Sequence, residues 1–195
     1  MKNENFVYKT IISRRSIRRF KQEKIPIDIL KKCVNSARLA PSAANLQPLE
    51  YIILKDEEKC NKLFEMIGFA GYLPDWNPSL DEKPMAYIII LCSDQKNKWY
   101  FRDASFAAEN IILTAESYDI GSCVLCNIKK EKIKKLLKIP DEIIVDSVVA
   151  LGYKNEQPKI VDYKDSVKYY HDKTMVLNVP KKPFEQLCHI DKYKK

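Results

Sequence analysis

Apolar positions recur at spacings of three and four over Asp28–Leu39, where Ile29, Leu30, Cys33, Val34 and Ala37 share one face. That spacing predicts a helix, with Pro41 as its terminator. Tyr51–Leu54 is a short apolar run that predicts a buried strand, followed by a helix from about Glu57 to Ile67. Ala86–Cys92 is unbroken apolar sequence between Pro84 and Ser93. Its length and β-branching predict a central strand covered on both faces. The clearest helix is Asp103–Tyr118, where Ala104, Ala107, Ala108, Ile111, Ile112 and Ala115 form a broad stripe that lets another backbone approach closely. Gly121–Leu125 reads as a strand, Lys130–Leu137 as a helix and Ile144–Leu151 as a strand. Strands alternating with helices predict a layered α/β or α+β fold, with the sense of strand pairing open. From Lys154 to Lys195 the pattern fades: Pro158, Pro180 and Pro183 punctuate it, and aromatic residues recur without a period. The expected organisation is a single domain over residues 1–195, with 154–195 as an extended carboxy-terminal arm on a surface, that of a second subunit being one candidate.

Composition narrows the setting. The 195 residues are 46% apolar, enough for a sizeable core. No apolar run approaches the roughly 20 residues that a membrane helix needs. Met1–Thr10 mix Lys, Asn and Glu without an apolar segment, so no signal peptide and a cytoplasmic location are expected. The net charge of +8 admits nucleic acid, an anionic membrane or an anionic ligand as partner. The lysines, however, are scattered and interleaved with acidic residues, as on a solvated surface. The arginines are not: Arg14, Arg15, Arg18 and Arg19 cluster, and only Arg38 and Arg102 lie elsewhere. The planar guanidinium fork suits phosphate and carbonyl oxygens, which favours an anionic small ligand over nucleic acid or membrane.

Much familiar chemistry is missing. The four glycines form neither G-x-G-x-x-G nor a Walker loop, which excludes a Rossmann dinucleotide domain and a P-loop NTPase. His171 and His189 both lie in the arm, away from partners at zinc or triad spacing. Six cysteines without a signal peptide read as reduced thiols, and Cys123-x-x-Cys126 lies inside a strand candidate with no second pair, so it reads as structural. Cofactor-borne chemistry is what remains, with the protein supplying binding, orientation and electrostatics.

Three segments carry a resemblance: Ser13–Phe20 (SRRSIRRF), Ala40–Pro48 (APSAANLQP) and Val179–Glu185 (VPKKPFE). In this order and at these separations the chain resembles the nitroreductase family of FMN-dependent NAD(P)H oxidoreductases, from about Ile11 to Tyr193. The resemblance implies an α+β three-layer sandwich: a mostly antiparallel central sheet flanked by helices, in an interlocked homodimer with FMN at each interface. It implies Arg14, Arg15 and Ser16 at the FMN phosphate and ribityl chain, and Arg18 beside flavin N1, where a cation favours reduction. Lys181 and Lys182 complete the phosphate clamp. Pro41, Ser42, Ala43, Asn45 and Gln47 match the segment that reaches the flavin from the partner subunit. Gly121–Asn127, with Cys123, Cys126 and Asn127, matches the strand along the flavin ring; many family members have Gly-Gly or Glu-Gly where this chain has Cys126-Asn127. No side chain is expected to act as acid or base. The implied reaction is ping-pong: hydride passes from NAD(P)H through flavin N5 to a small electron acceptor such as a nitroaromatic, a quinone or a flavin. The alternatives are a specialised flavin enzyme of the same fold (dehalogenase, enone reductase or flavin-fragmenting) and a non-catalytic basic protein that binds polyanions.

Overall fold

A computed structural model describes residues 5–73 and 76–193. Met1–Glu4, part of the stretch read for a targeting segment, and the last two residues of the arm lie outside them. The chain runs α1 (Phe6–Ser13), β1 (Phe20–Lys21), α2 (Ile27–Ala37), a 3-10 turn (Ala43–Asn45), β2 (Leu49–Leu54), α3 (Glu57–Phe64) and β3 (Ala86–Cys92). It continues through α4 (Tyr100–Ser117), β4 (Ile120–Leu125), α5 (Lys130–Leu137), β5 (Ile144–Lys154), β6 (Lys159–Asp162), β7 (Tyr170–His171), β8 (Leu177–Lys181) and α6 (Phe184–Leu187).

The central sheet has the order β2-β3-β5-β4, with β1 paired to the last residues of β5, and every pairing in it is antiparallel. Helices cover both faces, so the layers are those of an α+β sandwich. On one face α4 lays Ala104, Ala107, Ile111 and Ala115 against Ile88, Ile90, Val149 and Leu151, beside Leu30 and Cys33 of α2. The two helices are stitched together: Asn110 Nδ2 donates to the Ser36 carbonyl (2.9 Å) and Thr114 Oγ1 to Ser36 Oγ (2.8 Å). On the other face Leu63 of α3 and Ile133 of α5 pack with Tyr87, Ile89, Val148 and Ala150. Burial of β3 on both faces, all seven residues of it, explains its unbroken apolar sequence. Among the described residues no helix is long and apolar enough to cross a membrane.

Several expectations need adjustment: helix α3 ends at Phe64 rather than near Ile67, and α4 starts at Tyr100 rather than Asp103. Helix α2 stops at Ala37, four residues before Pro41; Leu39 and Ala40 donate to carbonyls three residues back, tightening the turn ahead of the proline. Strand β5 runs to Lys154 rather than Leu151, because its last residues pair with β1 and β4. The arm is not extended throughout: β8 pairs parallel with β6 and antiparallel with β7, and α6 follows. Strands of two to five residues are too short to show a period.

The β4–β5 register sets Gly121 directly opposite Gly152. The segment after α1 lies over this pair. A Cβ on Gly121 would stand 2.9 Å from the Ile17 side chain, and one on Gly152 would stand 2.7 Å from the Phe20 ring. Both glycines are therefore fixed by close approach rather than by backbone conformation. Gly152→Ala should destabilise the protein by about 2 kcal/mol, as overpacked cores do. Gly71→Ala, whose Cβ would meet nothing within 4 Å, should change stability by less than about 0.5 kcal/mol. Urea titrations of the two variants check the contrast.

Candidate functional site

Ile17 and Phe20 are buried on the sheet, and this fixes how the arginines between and beside them emerge. Ser16 bridges to Ser122 of β4, and Ile17 N donates to the Ser122 carbonyl (2.9 Å). The four clustered arginines then divide. Arg19 is committed to Glu82, donating from Nε to both carboxylate oxygens (2.9 Å each) and pairing through Nη2 at 2.6 Å. That hydrogen bond raises the Arg19 pKa and lowers that of Glu82. Arg15 donates to the Ile12 carbonyl at the end of α1; burial, with Arg14 beside it, pushes its pKa down. Arg14 and Arg18 are different: the Nε of each is buried without a hydrogen-bond partner among the described residues.

Arg18 is held from several directions. Its guanidinium lies 5.0 Å from the centre of the Tyr169 ring. The Tyr169 hydroxyl accepts from Tyr72 N (3.2 Å), and the two tyrosine rings stand 5.0 Å apart. The Glu156 carboxylate accepts from the backbone N–H of Arg18 and from that of Arg19. Two guanidinium groups with orphaned, buried nitrogens on one short segment fit a ligand that carries anionic and carbonyl oxygens, as FMN does.

Strand β4 leads away from this cluster. Cys123 is buried in it and Cys126 is exposed just beyond it; burial raises both thiol pKa values, so neither is poised as a thiolate. All six cysteines are free. Gly68 N donates to the Asn127 carbonyl (2.9 Å), and Lys129 N to that of Met66 (2.8 Å). A Cβ on Gly68 would collide with Asn127 Nδ2, so that glycine makes room for the Asn127 side chain.

The Pro41–Gln47 loop sits elsewhere. Ala44, Asn45 and Gln47 have positive φ (48°, 55° and 48°), uncommon for residues with a Cβ. Gln47 N donates to Ser42 Oγ (3.1 Å), and Ala43 N donates to Asp103 Oδ1 near the start of α4 (3.0 Å). Arg15 instead feels Glu116, near the other end of α4. At 1.5 Å per helical residue those two anchors are about 20 Å apart. Within one chain, then, the structure does not bring Pro41, Ser42, Ala43, Asn45 and Gln47 beside Arg14, Ser16 and Arg18. The exposed Lys181 and Lys182 contact their own arm: the Lys181 carbonyl accepts from Tyr163 N (3.1 Å), and Lys182 Nζ lies 5.8 Å from the Tyr163 ring centre. Tyr72, Asp103, Glu156 and Tyr169 join these groups without a signal in the sequence; each reads there as an ordinary surface or helix residue.

With this geometry in view, comparison places the fold. The family model described as Nitroreductase family matches residues 11–68 and 76–153, and the chain belongs to the nitroreductase family of oxidoreductases. The match ends before the arm, so Lys181 and Lys182 lie beyond it. A relative from Archaeoglobus fulgidus, provisionally named an NADH dehydrogenase/NAD(P)H nitroreductase, is 34% identical over 80% of this chain and 90% of its own. An FMN reductase (NADPH) of Bacillus subtilis is 25% identical over 89% of this chain and 76% of its own. The solved structure of an FMN-dependent nitroreductase from Clostridium difficile R20291 superposes with a TM-score of 0.71 at 27% identity, covering 94% of this chain and 98% of that one.

The Arg19–Glu82 pair makes a prediction for acid stability. The folded Glu82 pKa is depressed below its ordinary 4.5, so the pair's contribution is present above that pH and lost as the pH falls through the depressed value. Glu82→Gln should lower stability at neutral pH and flatten the loss as the pH falls below the ordinary carboxylate value of 4.5. Urea midpoints across that range test this; parallel curves for variant and wild type would contradict it.

Proposed function

We propose that the protein is an FMN-dependent oxidoreductase that takes hydride from NAD(P)H and passes reducing equivalents to a small organic acceptor, such as a nitroaromatic, a quinone or a flavin, the two substrates using one site in turn. The observation that carries this reading is the pair of buried, unpartnered Nε atoms of Arg14 and Arg18 on a segment seated against β4. The names of the Bacillus subtilis and Clostridium difficile relatives support the choice of cofactor. FMN, when bound, supplies the hydride-accepting and hydride-donating chemistry. Arg14, Arg15 and Ser16 would hold its phosphate and ribityl chain, with Lys181 and Lys182 completing the clamp. Arg18 would set a fixed cation beside the edge where reduction places negative charge. Tyr169 and Glu156 keep that cation in place from its side chain and its backbone. Cys123, Cys126 and Asn127 would border the ring. Solvent supplies the protons.

In this reading the site is built by two copies of the chain, with Pro41, Ser42, Ala43, Asn45 and Gln47 of one protomer meeting the flavin held by the other. The placement of that loop at the far end of α4 supports the exchange, and so does the apolar surface the chain presents. Helix α1 buries none of its residues, and Phe6, Val7, Ile11 and Ile12 are all exposed.

The purified protein should be yellow and release FMN. Arg18→Ala refilled with FMN should show a lower reduction potential than wild type, by about 40–90 mV if one charge-assisted interaction of about 2–4 kcal/mol is lost from the reduced state. A redox titration reads this directly. An unchanged midpoint removes Arg18 from the role, and a chain that binds no FMN overturns the whole reading.

A further inference from the structure

Asp103 is only 2% exposed, yet among the described residues its carboxylate has a single hydrogen-bond partner. Oδ1 accepts from Ala43 N at 3.0 Å; Oδ2 is buried and unpartnered among the described residues. The side chain lines a cavity of about 130 Å³ together with Ala40, Pro41, Ser42, Gln47 and Tyr51. Burying a half-satisfied carboxylate is costly. An apolar side chain would fill this place between α2, α4 and β2 more cheaply, so packing alone does not account for it. Two features do. Asp103 lies in the first turn of α4, where the helix dipole favours a negative charge. It also faces a stretch, the only one among the described residues, in which three residues with side chains hold left-handed backbone within four positions, Ala44, Asn45 and Gln47. Such conformations persist only where the surroundings over-determine them. The loop leaves α2, whose last turns are stitched to α4 through Ser36, and enters β2 at Pro48, whose carbonyl accepts from Ser93 N (3.0 Å). Both ends are fixed to the scaffold, and Asp103 fixes the middle.

We propose that Asp103 is a positioning residue for the flavin site: its carboxylate latches the Ala43 N–H and so holds the Pro41–Gln47 loop in the shape that meets the flavin of the neighbouring protomer. This rests on the flavin reading above. The latch acts before FMN arrives. Without it the loop samples relaxed conformations, and FMN binding must select the competent one.

The test is FMN affinity, from flavin fluorescence quenching in titrations of the full-length protein stripped of flavin. Asp103→Ala should weaken binding about tenfold. Asp103→Asn keeps a side-chain oxygen for Ala43 N and should recover affinity to within about threefold of wild type. Combined with Asn45→Ala, Asp103→Ala should cost less than the product of the two separate losses, because both act through one loop. Wild-type affinity in Asp103→Ala, an Asn variant as weak as the Ala variant, or losses that multiply fully would each overturn the proposal. Should Asp103→Ala not fold, Asp103→Thr, whose hydroxyl falls one bond short of Ala43 N, must show the same loss. Asn45→Ala distinguishes the role of the loop from that of Asp103. If it leaves affinity unchanged, the loop is not at the flavin and the underlying reading fails; if it weakens binding while Asp103→Ala does not, only the role of Asp103 falls.

Discussion

A chain segment can lie across the face of a β-sheet at backbone distance only where the sheet offers no side chains to hold it off. Gly121 and Gly152, directly opposite each other on β4 and β5, make that opening. Ile17 and Phe20 close it, each nearer to a glycine than a Cβ would allow. Much else follows from this seat. With these two apolar side chains turned inward, Arg18 and Arg19 between them carry their guanidinium groups to the Tyr169 ring and to Glu82. The main chain is bound at the same time, through Ile17 N to Ser122 and through the N–H groups of Arg18 and Arg19 to Glu156. The segment is thus placed by packing and by bonds to its main chain, and the Nε of Arg14 and of Arg18 is left without a hydrogen-bond partner among the described residues. Arg19 differs in that its guanidinium pairs with Glu82.

Helix α4 sets the second constraint. It is stitched to α2 by Asn110 and Thr114, and it carries the Pro41–Gln47 loop on Asp103 at one end while Glu116 faces the cationic segment at the other. A rigid helix cannot bring its own ends together. Two groups of residues that the family resemblance assigns to one flavin are therefore kept about 20 Å apart in each chain. The exchange between two copies proposed above would resolve this, and the small-residue stripe of α4 gives the core a close-packed layer from which both ends are held.

Several elements could be read from the sequence because one physical signal dominated in each. Strand β3 is buried on both sides and reads as an unbroken apolar run; α5 keeps one buried residue, Ile133, on a lysine-rich helix and matches its expected span of Lys130–Leu137. The same burial hid the pairing sense, since a strand covered on both faces has no alternation to betray an antiparallel neighbour. The strands of the arm were too short to carry a period. Within the site, the arginine cluster stood out because arginine is otherwise rare in a lysine-rich chain. What sets Arg19 apart from Arg14 and Arg18, whose Nε atoms lack a partner among the described residues, is Glu82, 63 positions away. The anchoring of Ala43 by Asp103 spans 60 positions. Contacts at that separation leave no local mark on composition or periodicity.

The claim on which the account turns is that the glycine seat places the cations of the flavin site. The direct test is the FMN dissociation constant of Gly121→Ala, with Gly71→Ala as control, at a temperature where both are fully folded. Because a Cβ at position 121 would stand 2.9 Å from Ile17, the segment must shift. Affinity should then fall about tenfold or more, with little change in the Gly71→Ala control. A folded Gly121→Ala protein that binds FMN as tightly as wild type would contradict the account.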